Sequence, residues 1–141
     1  MANIIPFAFR GELFTGTHDF SSGGDSFKLA LYTANPYTTS STAYDATSEV
    51  SASGTAYTTT GNVLTGNAVA SGTAVASCDF DPAVWTTATF TAAYGAIYND
   101  DVSDKLCVVL DFDGNKTATN GTFTVTFPDP TTPADAIISM A

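Results

Sequence analysis

Residues 121–127 read GTFTVTF, with Phe123, Val125 and Phe127 at alternate positions and Thr122, Thr124 and Thr126 between them. Side chains point to opposite faces of a strand with a period of two, so this stretch fits an extended strand that is apolar on one side and hydroxylated on the other. The same period runs through SFKLALYT at 26–33: Phe27, Leu29 and Leu31 share one face, while Lys28, Ala30 and Tyr32 share the milder one. Lys105 to Phe112 is the most apolar strand of the chain. The 24 Thr, 10 Phe and 6 Tyr are a β-forming set, and the Lys/Glu-rich surface of a helical bundle is absent.

Turn signals divide the rest. Residues 55–60 and 62–65 flank Gly61-Asn62 as a hairpin, and 67–71 and 73–79 flank Gly72. Asp81-Pro82 breaks the chain before Trp85. Residues 88–98 form a run that places Phe90 and Tyr94 on one face. Asn99 to Asp104 is a polar turn, and Asp113-Gly114-Asn115 is another. Pro128, Pro130 and Pro133 precede a last strand at 136–140. One helix is expected at 6–16, with Pro6 in its first turn and Gly16 just past its end. The alternative for that segment is a coil docked on a neighbouring subunit. The reading is an all-β fold, an antiparallel β-sandwich or barrel-like domain with one short N-terminal helix. It forms a single domain over residues 1–141, with 1–20 as an N-terminal arm or short helix.

Charge narrows the function. Fourteen acidic and 4 basic residues give a net charge of −10. Arg10, Lys28, Lys105 and Lys116 are too few and too scattered to neutralise a run of phosphates, which excludes sequence-independent nucleic-acid binding and anionic membrane surfaces. No apolar stretch approaches the roughly 20 residues that span a bilayer. The opening MANIIPFAFR has no basic region followed by a long apolar one, so folding in a cytoplasm is expected.

The chain offers no catalytic constellation, no cofactor motif and no metal site by spacing. His18 stands beside Asp19, yet no nucleophile or oxyanion hole lies nearby in sequence; a hydrogen bond tying the turn after the helix is the expectation. Asn99-Asp100-Asp101 with Asp104, and Asp111 with Asp113 and Asn115, have the residue types of a Ca²⁺ loop. The second cluster lacks the EF-hand spacing, because Gly114 stands fourth and Thr122 twelfth. Turn carboxylates bonded to their own backbone explain both clusters. Cys78 and Cys107 are expected as buried free thiols, with a disulfide open if their strands are neighbours. Residues 33–53 carry no sustained period, and such a long loop is expected to dock on something, an intersubunit contact first. Tyr32, Tyr37, Tyr44 and Tyr57 are read as exposed aromatics suited to a protein interface, with stacking on sugar rings as the alternative.

The sequence also resembles a family of small structural proteins of tailed bacteriophage and prophage virions. The resemblance rests on Glu12-Leu13-Phe14 with Gly16, His18 and Phe20, and on Asp25 with Phe27 to Thr33. It continues through Thr42-Ala43-Tyr44, Glu49-Val50, Gly54 and Tyr57. Further on come Trp85, Ala88 to Ala92, Gly95 to Asn99, Leu110-Asp111-Phe112, Gly114, Lys116-Thr117 and Phe123 to Pro128. The threonine- and proline-containing stretch from Asn35 to Ser41 departs from it. The resemblance implies a head decoration (cement) protein, made in the bacterial host cytoplasm and carried on the virion head surface. Its partners would be the major capsid protein and itself, as a closed trimer by preference or a dimer. Alternatives are a tail, neck or head-fibre component, or a carbohydrate-binding host-attachment module. The expected contact residues are Ile4, Ile5, Phe7 and Phe9 of the N-terminal segment, Pro36, Tyr37 and Tyr44 of the loop, and Tyr57. Deleting residues 1–9 is expected to weaken attachment and leave the β domain folded.

Overall fold

Two strands of unusual length set the architecture. A computed structural model of the chain describes residues 3–72, 74–128 and 136–140. In it β5 (Ala83–Asn99) and β6 (Lys105–Val125) form one antiparallel ribbon, from Ala83 opposite Val125 to Asn99 opposite Lys105. The polar turn expected at 99–104 closes it, with Ser103 and Asp104 at positive φ. β1 (Phe27–Tyr32) pairs with β5, and β2 (Asn62–Val63) lies outside β1, giving the order β2-β1-β5-β6. A second antiparallel sheet has the order β3-β4-β7, from β3 (Ala68–Ser71), β4 (Ala76–Asp79) and β7 (Ile138–Met140). The fold is all-β with one short helix, and both sheets contribute to one large apolar core.

The turn expected at Asp113-Gly114-Asn115 does not reverse the chain. Ala92 faces Lys116 and Tyr94 faces Asp111, so five steps along β6 oppose two along β5. The surplus is a bulge with Asp113 and Gly114 at positive φ. The ribbon bends: the rings of Phe112 and Phe123 lie 6.4 Å apart, whereas eleven residues of straight strand would separate them by roughly 36 Å. Phe90, Trp85 and Phe123 thereby join the cluster that holds Phe27, Leu29 and Leu31.

The same bulge corrects a facing. Phe90 belongs to the large core, while Tyr94 packs with Ala30, Tyr32, Ala96 and Tyr98 on the other side of the sheet. Shifting a strand by one residue exchanges its faces, and the irregularity between Ala92 and Tyr94 does so here. Gly61-Asn62 does not form the expected hairpin either. Residues 55–60 are not a strand, and Asn62–Val63 pairs with β1 instead. The β3–β4 pairing around Gly72 and the alternation of Phe123, Val125 and Phe127 inward against Thr122, Thr124 and Thr126 outward match expectation. Residues 129–135, with two of the expected strand-breaking prolines, lie outside the described residues.

Helix α1 (Phe7–Phe14) is shorter than the expected 6–16: Pro6, with extended backbone at ψ 151, stands at the N-cap position without a side-chain cap rather than in the first turn, and the helix ends at Thr15. Gly16 follows at φ +67, the Thr17 N–H donates to the Glu12 carbonyl at 3.1 Å and the Gly16 N–H to that of Leu13 at 3.4 Å. That pair of bonds is a Schellman stop, which favours glycine in the left-handed position. Phe9 is the helix residue that is fully buried, and Leu13 packs beside it at helical spacing; Phe7 and Phe14 face solvent.

Candidate functional site

The N-terminal segment and the 33–53 loop both close over one face of the first sheet. Ile4 bridges to Val109 on the open edge of β6, with its N–H donating to the Val109 carbonyl at 2.9 Å. Ala43 bridges to Lys105 further along the same edge, and the Tyr44 N–H donates to the Asp104 carbonyl at 2.8 Å. The two segments touch each other where the Phe7 N–H donates to the Thr39 carbonyl at 2.9 Å. Beneath them lies a second apolar cluster of Ala30, Tyr32, Tyr37, Ala96, Tyr98, Leu106 and Val109. The loop therefore docks on its own sheet.

This docking corrects the exposure expected of the tyrosines. Tyr32, Tyr37 and Tyr57 are buried and Tyr44 is half-buried. Burying a phenol requires a partner for its hydroxyl, and each has one. The Tyr32 and Tyr37 hydroxyls meet at 2.7 Å, Tyr32 donates to the Asp45 carbonyl at 2.9 Å, and the Asp45 N–H donates to the Tyr37 hydroxyl at 2.9 Å. Tyr44 and Tyr57 donate to the two oxygens of Glu49 at 2.5 and 2.7 Å, and the Thr60 N–H donates to Glu49 Oε1 at 2.8 Å. Burial first, then the bonds to Tyr37 and to Glu49, push the Tyr32, Tyr44 and Tyr57 hydroxyls well above the usual tyrosine range. These rings cannot present a sugar-stacking groove.

Of the remaining contact candidates, Phe9 is fully buried against His18 and Phe20. Ile4, Ile5 and Pro36 are half-buried, and Phe7 is 60% exposed. Residues 1–9 thus include structural parts of the fold, so their deletion would open the core rather than trim a free arm. Phe7 and the exposed loop tip Thr38, Thr39 and Ser40 form the outward part of the pair of segments.

Helix α1 is tied to the ribbon by a polar cluster. Lys105 Nζ meets Glu12 Oε1 at 2.5 Å, and His18 Nε2 meets Glu12 Oε2 at 2.8 Å. The Asn99 amide donates to His18 Nδ1 at 3.0 Å and to Asp25 Oδ2 at 2.8 Å, while its own oxygen accepts the Asp101 N–H. An amide donor at Nδ1 places the imidazole proton on Nε2, facing Glu12. The carboxylate partner of His18 is therefore Glu12, not Asp19, and the bond does tie the turn to the helix. Burial raises the Glu12 carboxyl, but Lys105 and His18 outweigh it and hold the group below the usual range.

Cys107 Sγ stands 4.0 Å from His18 Nδ1, so a thiol, an imidazole and a carboxylate share one neighbourhood. The arrangement lacks a reactive nucleophile. Cys107 is fully buried and burial drives its thiol far up; Cys78 is pushed up to about 12, and both cysteines are free. The acidic turns are engaged with backbone: Asp101 accepts the Ser26 N–H at 2.7 Å, and Asp111 the Asp113 N–H at 2.9 Å. Among the described residues no group of three or more His, Cys, Asp or Glu could hold a metal ion, and no helix is long and apolar enough to cross a membrane.

Sequence reasoning missed the exposed apolar surface. Phe14 is 91% exposed, and Val69 and Met140 are more than half exposed. The available signal was the spacing Phe9–Leu13 against Phe7–Phe14: a helix one face of which packs through Phe9 must turn Phe7 and Phe14 away. No family model, no curated protein and no solved structure matches the chain.

Proposed function

We propose that this chain is a non-enzymatic structural protein of a tailed-phage virion, a head decoration (cement) protein that binds the outer surface of the head and bridges neighbouring capsid subunits. The resemblance running through the chain motivates the reading. The observation that carries it is the junction of the N-terminal segment with the 36–44 loop: Phe7 and the Thr38–Ser40 tip stand outward on segments hydrogen-bonded to each other and to the edge of β6. A large ring in solvent beside neutral hydroxylated residues suits contact with another protein. The action is stoichiometric binding. A clamp that binds only the assembled shell stabilises it by mass action, and a chain of net charge −10 is repelled by the packaged nucleic acid. Its partners are the major capsid protein and further copies of itself, a closed trimer by preference.

Co-sedimentation with phage heads stripped of this protein tests the reading. The wild-type chain is expected to pellet with the heads. Phe7→Asp, at an exposed position that leaves the core intact, is expected to weaken binding about tenfold or more. Wild-type protein that stays in the supernatant would overturn the proposal.

A further inference from the structure

His18 is the chain's single histidine, and its side chain is fully buried. Nε2 faces Glu12 Oε2 at 2.8 Å, and Nδ1 faces the Asn99 amide nitrogen at 3.0 Å. Asn99 is itself buried, and two neighbours fix which way its amide points. The Asp101 N–H, which can only donate, meets the amide oxygen at 3.1 Å, and the Asp25 carboxylate accepts from the amide nitrogen at 2.8 Å. Turning the amide over would set donor against donor at Asp101 and acceptor against acceptor at Asp25. Asp25 also accepts the Asp19 N–H at 2.9 Å, so Asn99 joins the turn after the helix to the turn that closes the β5–β6 ribbon.

The site therefore accommodates the ring with one proton, on Nε2, and presents a donor to Nδ1. Charge around the ring pulls the opposite way. Glu12 of α1 lies against Nε2, and Asp25 stands behind the Asn99 amide; against these two carboxylates there is Lys105 of β6, on the other oxygen of Glu12. The Cys107 thiol of β6 lies 4.0 Å from Nδ1 and bonds the Lys105 carbonyl at 3.6 Å, which adds no charge. The Asp19 carboxylate accepts from Ser21 instead. The rings of Phe9 and Phe20 pack against the imidazole without offering a polar partner. Surroundings that draw a proton in, and a hydrogen-bond pattern that refuses it, make a bistable element.

We propose that His18 and Asn99 form a proton-operated latch. A second proton on the ring, at Nδ1, sets N–H against N–H across 3.0 Å, drives the Asn99 amide out of its bonds to Asp25 and Asp101, and loosens the 99–104 turn from the 18–25 segment. The His18–Glu12 bond survives, because a charged ring donates to a carboxylate more strongly than a neutral one. Helix α1 thus keeps its tie while the turn loses one. The effect reaches the loop over the sheet, since the Tyr44 N–H donates to the Asp104 carbonyl and Ala43 bridges to Lys105. Two bonds between Ser26 and the turn restrict the change to a loosening: the Asp100 N–H to the Ser26 carbonyl at 2.9 Å, and the Ser26 N–H to Asp101 Oδ2 at 2.7 Å. The inference concerns the fold alone and stands whether or not the chain binds a phage head.

Nuclear magnetic resonance of the full-length chain tests it, titrated from about pH 8 to about pH 5, the span over which an ordinary imidazole changes charge. With one histidine in the chain, the ring signals need no sorting. At the alkaline end the ring is expected to carry its proton on Nε2. As it takes up the second proton, the Asn99 side-chain amide and the Asp101 N–H are expected to shift with the same midpoint. Protection of the Asp101 N–H from hydrogen exchange is expected to fall about tenfold or more over that step. His18→Gln, which has no proton to gain, is expected to hold that protection constant; if this variant does not fold, the wild-type titration decides alone. A ring protonated on Nδ1 at the alkaline end would overturn the proposal. So would a ring that stays neutral until the protein unfolds, a titration that leaves Asn99 and Asp101 unmoved, or a folded His18→Gln that loses protection as the wild type does.

Discussion

Glu49 and Glu12 are the chain's two glutamates, and both hold elements together. Glu49 accepts from Tyr44, Tyr57 and the Thr60 N–H, so it organises the loop that covers the sheet. Glu49→Ala strips partners from buried donors and is expected to cost about 2–4 kcal/mol, whereas Tyr44→Phe removes one bond and should cost about 1 kcal/mol. Urea denaturation of the three proteins checks the ratio. Glu12 carries a pH signature. Its folded value lies below the ordinary 4.5 because Lys105 and His18 outweigh burial. The stabilisation is therefore complete above the unfolded value and is lost as pH falls through the folded one. Glu12→Gln should flatten the acid limb of stability between pH 7 and the onset of unfolding; an unchanged acid limb would contradict the assignment. Neither role was legible in the sequence. A glutamate in a Thr/Ser-rich loop has no periodicity to mark it, and the four tyrosines look exposed until the acceptors of their hydroxyls are known.

Among the strands, legibility followed period. β1 and the end of β6 were readable because alternation fixes which side chains turn inward. The bulge at 111–116 was not, since Asp113-Gly114 supports a bulge as readily as a reversal, and only pairing with β5 decides between them. Gly61 failed for a related reason. Beside an asparagine it looks like a hairpin, yet a Cβ there would sit 2.0 Å from the Leu29 carbonyl oxygen and φ is +84. Glycine serves close backbone approach at that point. Gly61→Ala is expected to destabilise by on the order of 3 kcal/mol or more. Thermal melting beside Gly114→Ala, where a Cβ meets nothing within 4 Å, separates steric conflict from backbone strain, because both positions have positive φ.

At the scale of the molecule, a 21-residue segment that carries no repeat becomes a lid on its own sheet, and the surface left apolar is small and local. The candidate contact segments 4–9 and 36–44 were legible as segments. Their contact through Phe7 and Thr39 was not, because nothing local encodes a meeting of residues so far apart in the chain. The expected arm became part of the core through Phe9, which leaves exposed single residues as the sound probes of attachment. Occupancy of a regular lattice on the virion head is what the proposed decoration role requires. Its most direct test is the copy number of this chain relative to the major shell protein in purified particles, by quantitative mass spectrometry. On the order of hundreds of copies, commensurate with icosahedral symmetry, are expected; a count near a dozen or below, or absence from the particle, would overturn the proposed role.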